Sequence, residues 1–499
     1  MTLNIKNKLN KVVAGMLCLT MLFSSCTDLD EDPGKSRLDP STLNSEEALE
    51  AAVAGSYLAL SAAVKWGQFW LNSYGGDDLT THSGKNKQAM READLRVLTT
   101  TSSRTNTAYD EPYKIIKEVN NIIANADNIE GDKDVINRLI GEAYFLRAYS
   151  YFHLTRTFGK VPLKLNTGVE EKLPLAEIVD VYKQIESDLE MAIDLLPVKY
   201  PKIRAAIRPN SGSAKAILAK LYLHWAGWPV KDASKYALAA STAKSVIDNA
   251  DQHGFALVPD MNTLWSTADE NRFNTEMVFG VAHTQALGNK YANRHTGKLG
   301  YPGKDVGGWA EIFAEIAFME EFPEGARKDA TYRTEVEYKG KVIQWEDFVD
   351  EAHPMFLKVT GHLDEVSTKN STTSMNTYVM RYADLLLIYA EAEGRSGGSS
   401  ADAWEALNEV RRRAYQGDPD YADITSGDLA ELAYTERKWE LAGEFKRWDD
   451  LVRMERVAQA LPNRSDRELV TGSFGDLSPA NYFVPIPQSE LDKAPWLKE

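Results

Sequence analysis

The sequence predicts a mainly α-helical protein in which pairs of helices form a scaffold and one long irregular region interrupts it. Apolar residues recur three and four positions apart over most of the chain, which is the spacing of one buried helix face. Proline and glycine separate these stretches at short intervals, so successive helices should lie antiparallel. The helical pattern stops between about residues 254 and 374, where glycine, asparagine, lysine and aromatic residues dominate.

Six helices are predicted before the irregular region. The first begins with Asn44 and Glu47 in an arrangement like a capping box, and Gly159 ends the third. Alanines such as Ala214 and Ala216 allow the axes of neighbouring helices to approach closely, and hairpins of this kind indicate tetratricopeptide-like repeats. The predicted helices span residues 44–63, 108–128, 132–158, 175–196, 211–226 and 232–250.

The irregular region contains short β-like runs at Met277–Val281 and Thr334–Tyr338. An insertion of this length inside a helical array is usually functional rather than connective. Helices resume at 378–394, and Ser399–Asp402 is a capping box that opens the next helix. A last apolar stripe at helical spacing runs from Leu441 to Val452.

The first residues have the pattern of a bacterial lipoprotein signal peptide. Three lysines make a basic start, and the apolar run Val12–Phe23 is too short to span a bilayer as a helix. The run ends in Leu22–Cys26, which resembles the lipobox, where two small residues precede a cysteine that becomes acylated. We therefore expect residues 1–25 to be a signal peptide and Cys26 to carry the lipid. The alternative is a simple secretory cleavage site beside an unmodified cysteine.

The segment after the cysteine reads as a spacer. Thr27–Gly34 is acidic and too polar to pack, so we expect residues 26–40 to form a flexible tether. Residues 41–499 should then form a single domain, held at the membrane by two acyl chains. An acidic run in this place resembles the surface-export signal of some outer-membrane lipoproteins. That resemblance implies an outer-membrane protein that faces the extracellular side, whereas as plain charge the run indicates only a tether.

Composition argues against several classes of function. The only cysteines are Cys18 and Cys26, so the mature domain should have neither a disulfide nor a cysteine metal site. The formal net charge of −16 argues against nucleic acid as a partner, because binding a polyanion needs a basic surface. No apolar run after the leader approaches the roughly 20 residues of a membrane helix. The lipid should therefore be the only membrane contact.

Several motifs lie in a characteristic order along nearly the whole mature chain. They are Gly141–Ala148 with Phe158–Pro162, Arg381–Ala392, Leu407–Ala414, Glu436–Leu441 with Arg447–Leu451, and Pro485–Leu491. In sequence and in order these segments resemble the SusD/RagB family of nutrient-binding outer-membrane lipoproteins. The lipobox agrees with this resemblance.

The resemblance implies one mainly α-helical body of about four tetratricopeptide-like helix pairs with a loop-rich ligand-binding region. It also implies a partner, a SusC-like TonB-dependent transporter, whose extracellular mouth this protein would cover. The motif residues Arg381 with Asp384, and Glu436 with Glu440 and Glu444, lie at helical spacings where salt bridges are commoner than catalysis. The expected parts are a helical scaffold at about 41–253 and 375–460, an insertion at about 254–374 and a C-terminal segment at about 461–499.

We expect a binding protein that is not an enzyme and has no cofactor. The chain has no His-Glu-x-x-His motif and no nucleophile elbow, and no pattern selects a catalytic pair among its 73 acidic residues. The family that it resembles is also non-catalytic. Asp418, Asp420 and Asp423 could hold a structural calcium ion, yet they lack the spacing of an EF-hand, and a loop is the better interpretation.

Two functions from different classes fit these features. The favoured one is capture of an oligosaccharide at the outer membrane for import through the transporter. The alternative is a tetratricopeptide-type scaffold that binds a peptide or glycoprotein. Aromatic-rich loops favour sugar, because the CH faces of a pyranose dock on flat rings while its hydroxyls bind amide, carboxylate or guanidinium groups.

Two loop clusters combine aromatic rings with such polar groups. Trp265, Trp404, Trp439 and Trp448 occupy positions where the family usually has a core residue, and we set them aside. The predicted ligand-binding residues of the first cluster are Trp66, Trp70, Tyr74, Asp77, Asp78, Arg104 and Asn106. Those of the second are Tyr291, Arg294, Tyr301 and Trp309, which lie among Asn289, Asn293 and Asp305. Trp309 is the strongest candidate, followed by Tyr301 and Trp70.

Overall fold

Long helices that pack side by side make up most of the first half of the protein. The computed structural model describes residues 43–65, 67–168, 172–200, 207–268, 271–288, 290–294, 309, 311–338, 340–348, 351–358, 372–468 and 472–498. Helix α1 packs against α3 and α4, and each helix from α3 to α7 packs against the next along the chain. These helices are α1 (Glu46–Val64), α2 (Gln88–Asp94), α3 (Thr105–Ala124), α4 (Lys133–Phe158), α5 (Ile178–Leu195), α6 (Ser211–Ala226) and α7 (Lys235–Ile247).

Helix α4 is the longest of these helices, and local sequence determines both of its ends. The side chain of Asp132 accepts a hydrogen bond from the backbone N–H of Asp134 at 2.8 Å, which caps the first turn. Gly159 ends the helix with a φ of +75°, a conformation that favours glycine. Nearly every residue after Leu139 is buried, because both α3 and α5 pack against α4. Helix α4 therefore lies inside the array, where it buries the charged Glu142 and Arg147 beside its apolar residues.

The array continues after the irregular region. Helix α12 packs against α6 and α7 from the first half and against α13 and α14, so it joins the two halves of the chain. The remaining helices are α8 (Ala250–His253), α9 (Met261–Leu264), α10 (Ile316–Glu321), α11 (Ala326–Thr331), α12 (Tyr382–Arg395), α13 (Ala401–Ala414), α14 (Leu429–Glu440), α15 (Arg447–Arg453), α16 (Val457–Ala460) and α17 (Gln488–Lys493).

Short antiparallel strand pairs hold the irregular parts of the chain together. The pairs are β1 with β5, β2 with β3, β4 with β10, β6 with β9, and β7 with β8. Their bounds are β1 (Leu79–Thr81), β2 (Val161–Pro162), β3 (Leu175–Ala176), β4 (Met277–Val281), β5 (Ile312–Ala314), β6 (Tyr332–Arg333), β7 (Glu335–Tyr338), β8 (Lys341–Gln344), β9 (Met355–Phe356) and β10 (Thr377–Arg381).

Most predicted elements are present, with differences at their ends. The predicted strands at Met277–Val281 and Thr334–Tyr338 are confirmed as β4 and β7, the latter without its first residue. The helix predicted from residue 378 begins at Tyr382, because the preceding residues pair with β4 as strand β10. Ser45, rather than Asn44, caps α1, and its side chain accepts from the N–H of Ala48 at 3.3 Å.

The apolar stripe from Leu441 to Val452 is not one helix. Helix α14 ends at Glu440 and α15 begins at Arg447, and between them Gly443 has a φ of +73°. A Cβ at Gly443 would approach the ring of Phe356 to 2.5 Å, so the turn and the close contact both require glycine. The stripe is therefore a turn followed by α15, and of its residues Trp448, Leu451 and Val452 pack in one buried cluster.

The family motifs supply buried ion pairs, as expected, but with different partners. Arg381 donates from Nε to Glu444 at 2.8 Å and from Nη1 to Glu440 at 2.9 Å. It does not pair with Asp384, because Arg381 lies in β10 and precedes the helix. Asp384 instead accepts from Lys220 Nζ at 2.9 Å. All five side chains are buried, so these pairs belong to the interior and are structural.

One expectation about the membrane requires correction. Among the described residues, the stretch Glu46–Gly75 is long and apolar enough to cross a membrane, judged by length and composition alone. Core helices of soluble proteins meet the same criterion, and Leu49, Val53 and Leu60 of α1 are buried within the helical array. The predicted signal peptide, Cys26 and the tether lie outside the described residues.

Candidate functional site

The aromatic residues of the first predicted cluster fold into the interior. Trp70 is only 5% exposed, and its ring stacks on Phe445 with 6.2 Å between centroids. Tyr74 is fully buried, and its hydroxyl donates to the carbonyl of Gly67 at 2.9 Å. The 3₁₀ helix Gln68–Gly75 carries both rings inward. Neither ring exposes a face to a sugar, so the prediction that Trp70 and Tyr74 contact ligand is wrong.

The two aspartates that follow are also engaged within the protein. Asp78 is buried, and its Oδ2 accepts from the N–H of Gly443 at 2.8 Å. Burial raises the pKa of Asp78 to about 6. Asp77 accepts from Arg447 twice, from Nε at 2.6 Å and from Nη2 at 3.1 Å. Burial alone would raise the pKa of Asp77, but Arg447 holds it below its ordinary value. Asp78 is therefore not a ligand contact, whereas Asp77 lies at the wall of a pocket described below.

Two polar residues of the first cluster remain accessible. Arg104 and Asn106 are both exposed at the start of α3, and Arg104 has a φ of +83°. The Oδ1 of Asn106 accepts from the hydroxyl of Ser489 at 2.8 Å, which ties the start of α3 to α17. Both side chains remain candidates for contact with a ligand. Trp66, the remaining member, lies outside the described residues.

The second predicted cluster lies nearer the surface. Tyr291, Arg294 and Trp309 are all half-buried, so part of each side chain is accessible. Asn293, by contrast, is buried and donates from Nδ2 to the carbonyl of Met375 at 3.0 Å, so its role is structural. Outside the described residues lie Asn289, Tyr301 and Asp305.

The structure brings the two predicted loops together. Strand β1 from the first loop pairs with β5 from the irregular region. The N–H of Arg294 also donates to the carbonyl of Lys65 at 3.1 Å, and Lys65 Nζ donates to the carbonyl of Lys290 at 2.9 Å. The Nζ of Lys290 lies 5.2 Å from the centroid of the Tyr291 ring. We call Lys65, Lys290, Tyr291 and Arg294 the basic edge.

The basic edge has the chemistry of a polar ligand site. Burial lowers the pKa of Lys65, and the positive charges of Arg294 and Lys290 lower it further. Ammonium and guanidinium groups supply several hydrogen-bond donors, while Tyr291 supplies an aromatic face and a hydroxyl. A sugar ring could lie against the tyrosine while its hydroxyls accept from the cations.

The aspartates considered for calcium make contacts within their own loop. Asp418 Oδ1 accepts from the N–H of Asp420 at 2.9 Å. Asp423 accepts from the hydroxyl of Tyr421 at 2.9 Å and from Arg412 Nη1 at 2.7 Å. In the part of the chain that the structure describes, no group of three His, Cys, Asp or Glu side chains is placed to hold a metal ion.

Sequence analysis missed a pocket near the C-terminal helices. Its volume is about 230 Å³, and residues of α10, α14, α15 and α16 line it together with Asp77. We call it the C-terminal pocket; Phe318, Tyr434, Lys438 and Arg456 are among its lining residues. The sequence feature that could have indicated this pocket is the high density of arginine near the C-terminus of a chain that is acidic overall. Those arginines are Arg447, Arg453, Arg456, Arg464 and Arg467.

The structure is of the helical-repeat class: a tetratricopeptide-like helical array that carries a loop-rich insertion. Two family profiles match this chain: one described as "SusD family" matches residues 348–499, and one described as "Starch-binding associating with outer membrane" matches residues 29–223. The matches cover parts of both halves of the helical array and omit most of the irregular region. The chain belongs to the SusD/RagB family.

Individual relatives agree over nearly the full length. "SusD-like protein P2" of Formosa agariphila is 27% identical over 508 aligned residues, which cover 96% of this chain and 97% of the relative. A solved SusD homologue from Bacteroides thetaiotaomicron is 24% identical, with a TM-score of 0.77 over 91% of this chain and 96% of that one, and shows the same fold. A solved "Laminarin binding SusD-like protein" is 26% identical, with a TM-score of 0.75 over 90% of this chain and 98% of that one.

Proposed function

We propose that this protein is a glycan-binding lipoprotein of the cell surface, which captures an oligosaccharide and delivers it to a SusC-like TonB-dependent transporter. The observation that carries the ligand class is the similarity, over nearly the whole chain, to a solved protein named for binding laminarin. The half-buried Tyr291 and Arg294 of the basic edge support it from the structure, because they combine an aromatic face with hydrogen-bond donors near the surface; Trp309 is half-buried as well.

The same proposal gives the protein a location and excludes catalysis. Lipid at Cys26 would anchor the chain to the outer membrane on its extracellular side. The description of the N-terminal family profile supports the outer membrane and no more than that. The acidic residues near the predicted site favour binding over hydrolysis. Asp77 is committed to Arg447 and Asp78 is buried, so neither is available as an acid or base toward a bound sugar.

The binding site can be tested by calorimetric titration with laminarin oligosaccharides. Replacement of Tyr291 or Trp309 with Ala should each cost roughly 1 to 3 kcal/mol of affinity, by analogy with stacked bases, and leave the melting temperature nearly unchanged. Tyr421→Ala is a matched control, since Tyr421 is another half-buried loop tyrosine and lies on the loop after α13. Undiminished affinity in a folded Tyr291→Ala, Trp309→Ala double variant would place the site elsewhere.

The absence of catalysis needs a separate measurement. The purified protein should release no reducing ends from any oligosaccharide that it binds over hours of incubation. Steady release that survives removal of contaminating hydrolases would refute the non-catalytic part of the proposal. Tight binding of a peptide with no glycan binding would favour the tetratricopeptide-type scaffold instead.

A further inference from the structure

The C-terminal pocket is too small for an oligosaccharide and large enough for one ring. Pockets for drug-sized ligands measure about 300 to 1,000 Å³. At about 230 Å³ this pocket would accept a single ring with one substituent. Phe318, Tyr434 and Leu451 form its buried floor, so a ligand would meet mainly the polar lining residues Lys438, Arg456 and Asn463.

Two cationic side chains of this pocket, Arg456 and Lys438, lie close to aromatic rings. The Arg456 guanidinium lies 4.5 Å from the centroid of the Tyr434 ring and uses Nη2 to donate to Glu431 at 2.8 Å. The Nζ of Lys438 lies 4.0 Å from the Trp439 ring. Cation–π contacts position these groups without occupying their N–H donors. Arg456 therefore retains donors at Nε and Nη1 with which it could bind a ligand.

The acidic residues of the pocket are largely engaged already. Asp77 is occupied by Arg447. Glu315 accepts from the N–H of Ser465 at 2.8 Å and from the N–H of Phe318 at 2.6 Å. Glu321 is the partner of Lys438, but the contact is 3.3 Å long and the Glu321 side chain is 63% exposed. Solvent screening weakens an ion pair of this kind.

Two further features favour a negative group in the pocket. Arg464 lines it with a side chain that is 10% exposed, and its Nε is buried without a hydrogen bond to any residue that the structure describes. Burial lowers the pKa of Lys438, and Arg447 lowers it further, although Asp77 and Glu321 act in the opposite direction. A negative group placed beside Lys438 would offset this penalty.

We propose that the C-terminal pocket binds one acidic sugar residue, whose carboxylate or sulfate oxygens accept from Lys438 and Arg456. The ligand class rests on the proposed glycan-binding function, while the pocket is separate from the basic edge. It would let the protein distinguish acidic glycans from neutral ones, since oxyanions form charge-assisted hydrogen bonds with both cations.

The test is a titration of monosaccharide probes in which ligand-observed NMR detects binding to the protein. Methyl glucuronide and glucose 6-sulfate represent the two oxyanions, methyl glucoside is the neutral probe, and acetate and sulfate are the bare ions. We expect an acidic sugar to bind about tenfold or more tightly than methyl glucoside, as charged hydrogen bonds predict. The Lys438→Gln, Arg456→Gln double variant should lose that preference. Arg467→Gln should keep it, because Arg467 is exposed, pairs with Glu320 and does not line the pocket.

Each result decides the proposal. Equal binding of acidic and neutral sugars, or an unchanged preference in the folded double variant, would overturn it. Binding of acetate or sulfate as tightly as the sugars would show an adventitious ion only. If the double variant does not fold, Lys438→Gln alone serves, because Lys438 is partly exposed at the rim. Failure of the proposed function would give a different result. The Tyr291→Ala variant would then bind every glycan as tightly as the wild-type protein does, while the preference for acidic sugars persisted.

Discussion

Replacement of Asp78 with Asn should stabilise the protein at neutral pH. Burial raises the pKa of Asp78 from 3.8 to about 6 in the folded protein, whereas the unfolded chain keeps an ordinary carboxyl. The folded state therefore holds the proton more tightly, and stability is lost as the pH rises through 6. At about 1.36 kcal/mol per pKa unit, ionisation costs about 3 kcal/mol. Asparagine does not ionise, and its amide oxygen can still accept from the N–H of Gly443.

The assay is thermal unfolding followed by circular dichroism at pH 4 and pH 7.5. For a body of this size, about 3 kcal/mol corresponds to a rise in Tm on the order of 3 °C at pH 7.5, and the gain should shrink toward pH 4. The affinity for glycan should not change, because Asp78 is buried. A variant that is less stable than the wild type at pH 7.5, or whose gain is the same at both pH values, would refute the reasoning.

Three other perturbations follow from the same structure. Cys26→Ala should release the protein from the outer membrane without unfolding it, because the proposed anchor lies outside the helical body; an unchanged membrane fraction in cells without the transporter would refute the anchor. Burial would raise the pKa of Glu440, but Arg413 and neighbouring cations lower it to about 2, so about 3 kcal/mol of stability should be lost as the pH falls from 4.5 to 2. Glu440→Gln should flatten that part of the stability profile, and an identical profile would contradict the role of Glu440. Asp384→Asn should cost about 3 to 5 kcal/mol in chemical denaturation, because it leaves the ammonium of Lys220 buried without its carboxylate; a loss below about 1 kcal/mol would contradict this.

The helical scaffold could be predicted from sequence because local rules determine it. Helix α4 begins after Asp132 and ends before Gly159, where a capping side chain and a positive φ act within a few residues. Strand β10 could not be predicted in this way. Its partner β4 lies about a hundred residues earlier in the chain, and the apolar periodicity around Tyr378 fits a helix as well as a strand.

The candidate site was only partly predictable for a related reason. An aromatic residue on a loop can face solvent or core, and the choice depends on distant partners. Trp70 is buried because Phe445 lies against it, and Asp77 is paired because Arg447 reaches it, both from the C-terminal part of the chain. Tyr291 and Arg294 are half-buried, so their contact with a ligand stays a prediction. Nothing local in the sequence indicates that Lys65 joins them, since that contact forms between two loops.

The most direct test of the central claim is affinity electrophoresis of the purified wild-type protein in native gels that contain laminarin, xyloglucan or acidic polysaccharides. Glycan capture predicts that the protein migrates more slowly in at least one of these gels than in a gel without polysaccharide. The Tyr291→Ala, Trp309→Ala double variant should regain its free mobility there, and Tyr421→Ala should not. Identical mobility of the wild-type protein in every gel would contradict the account.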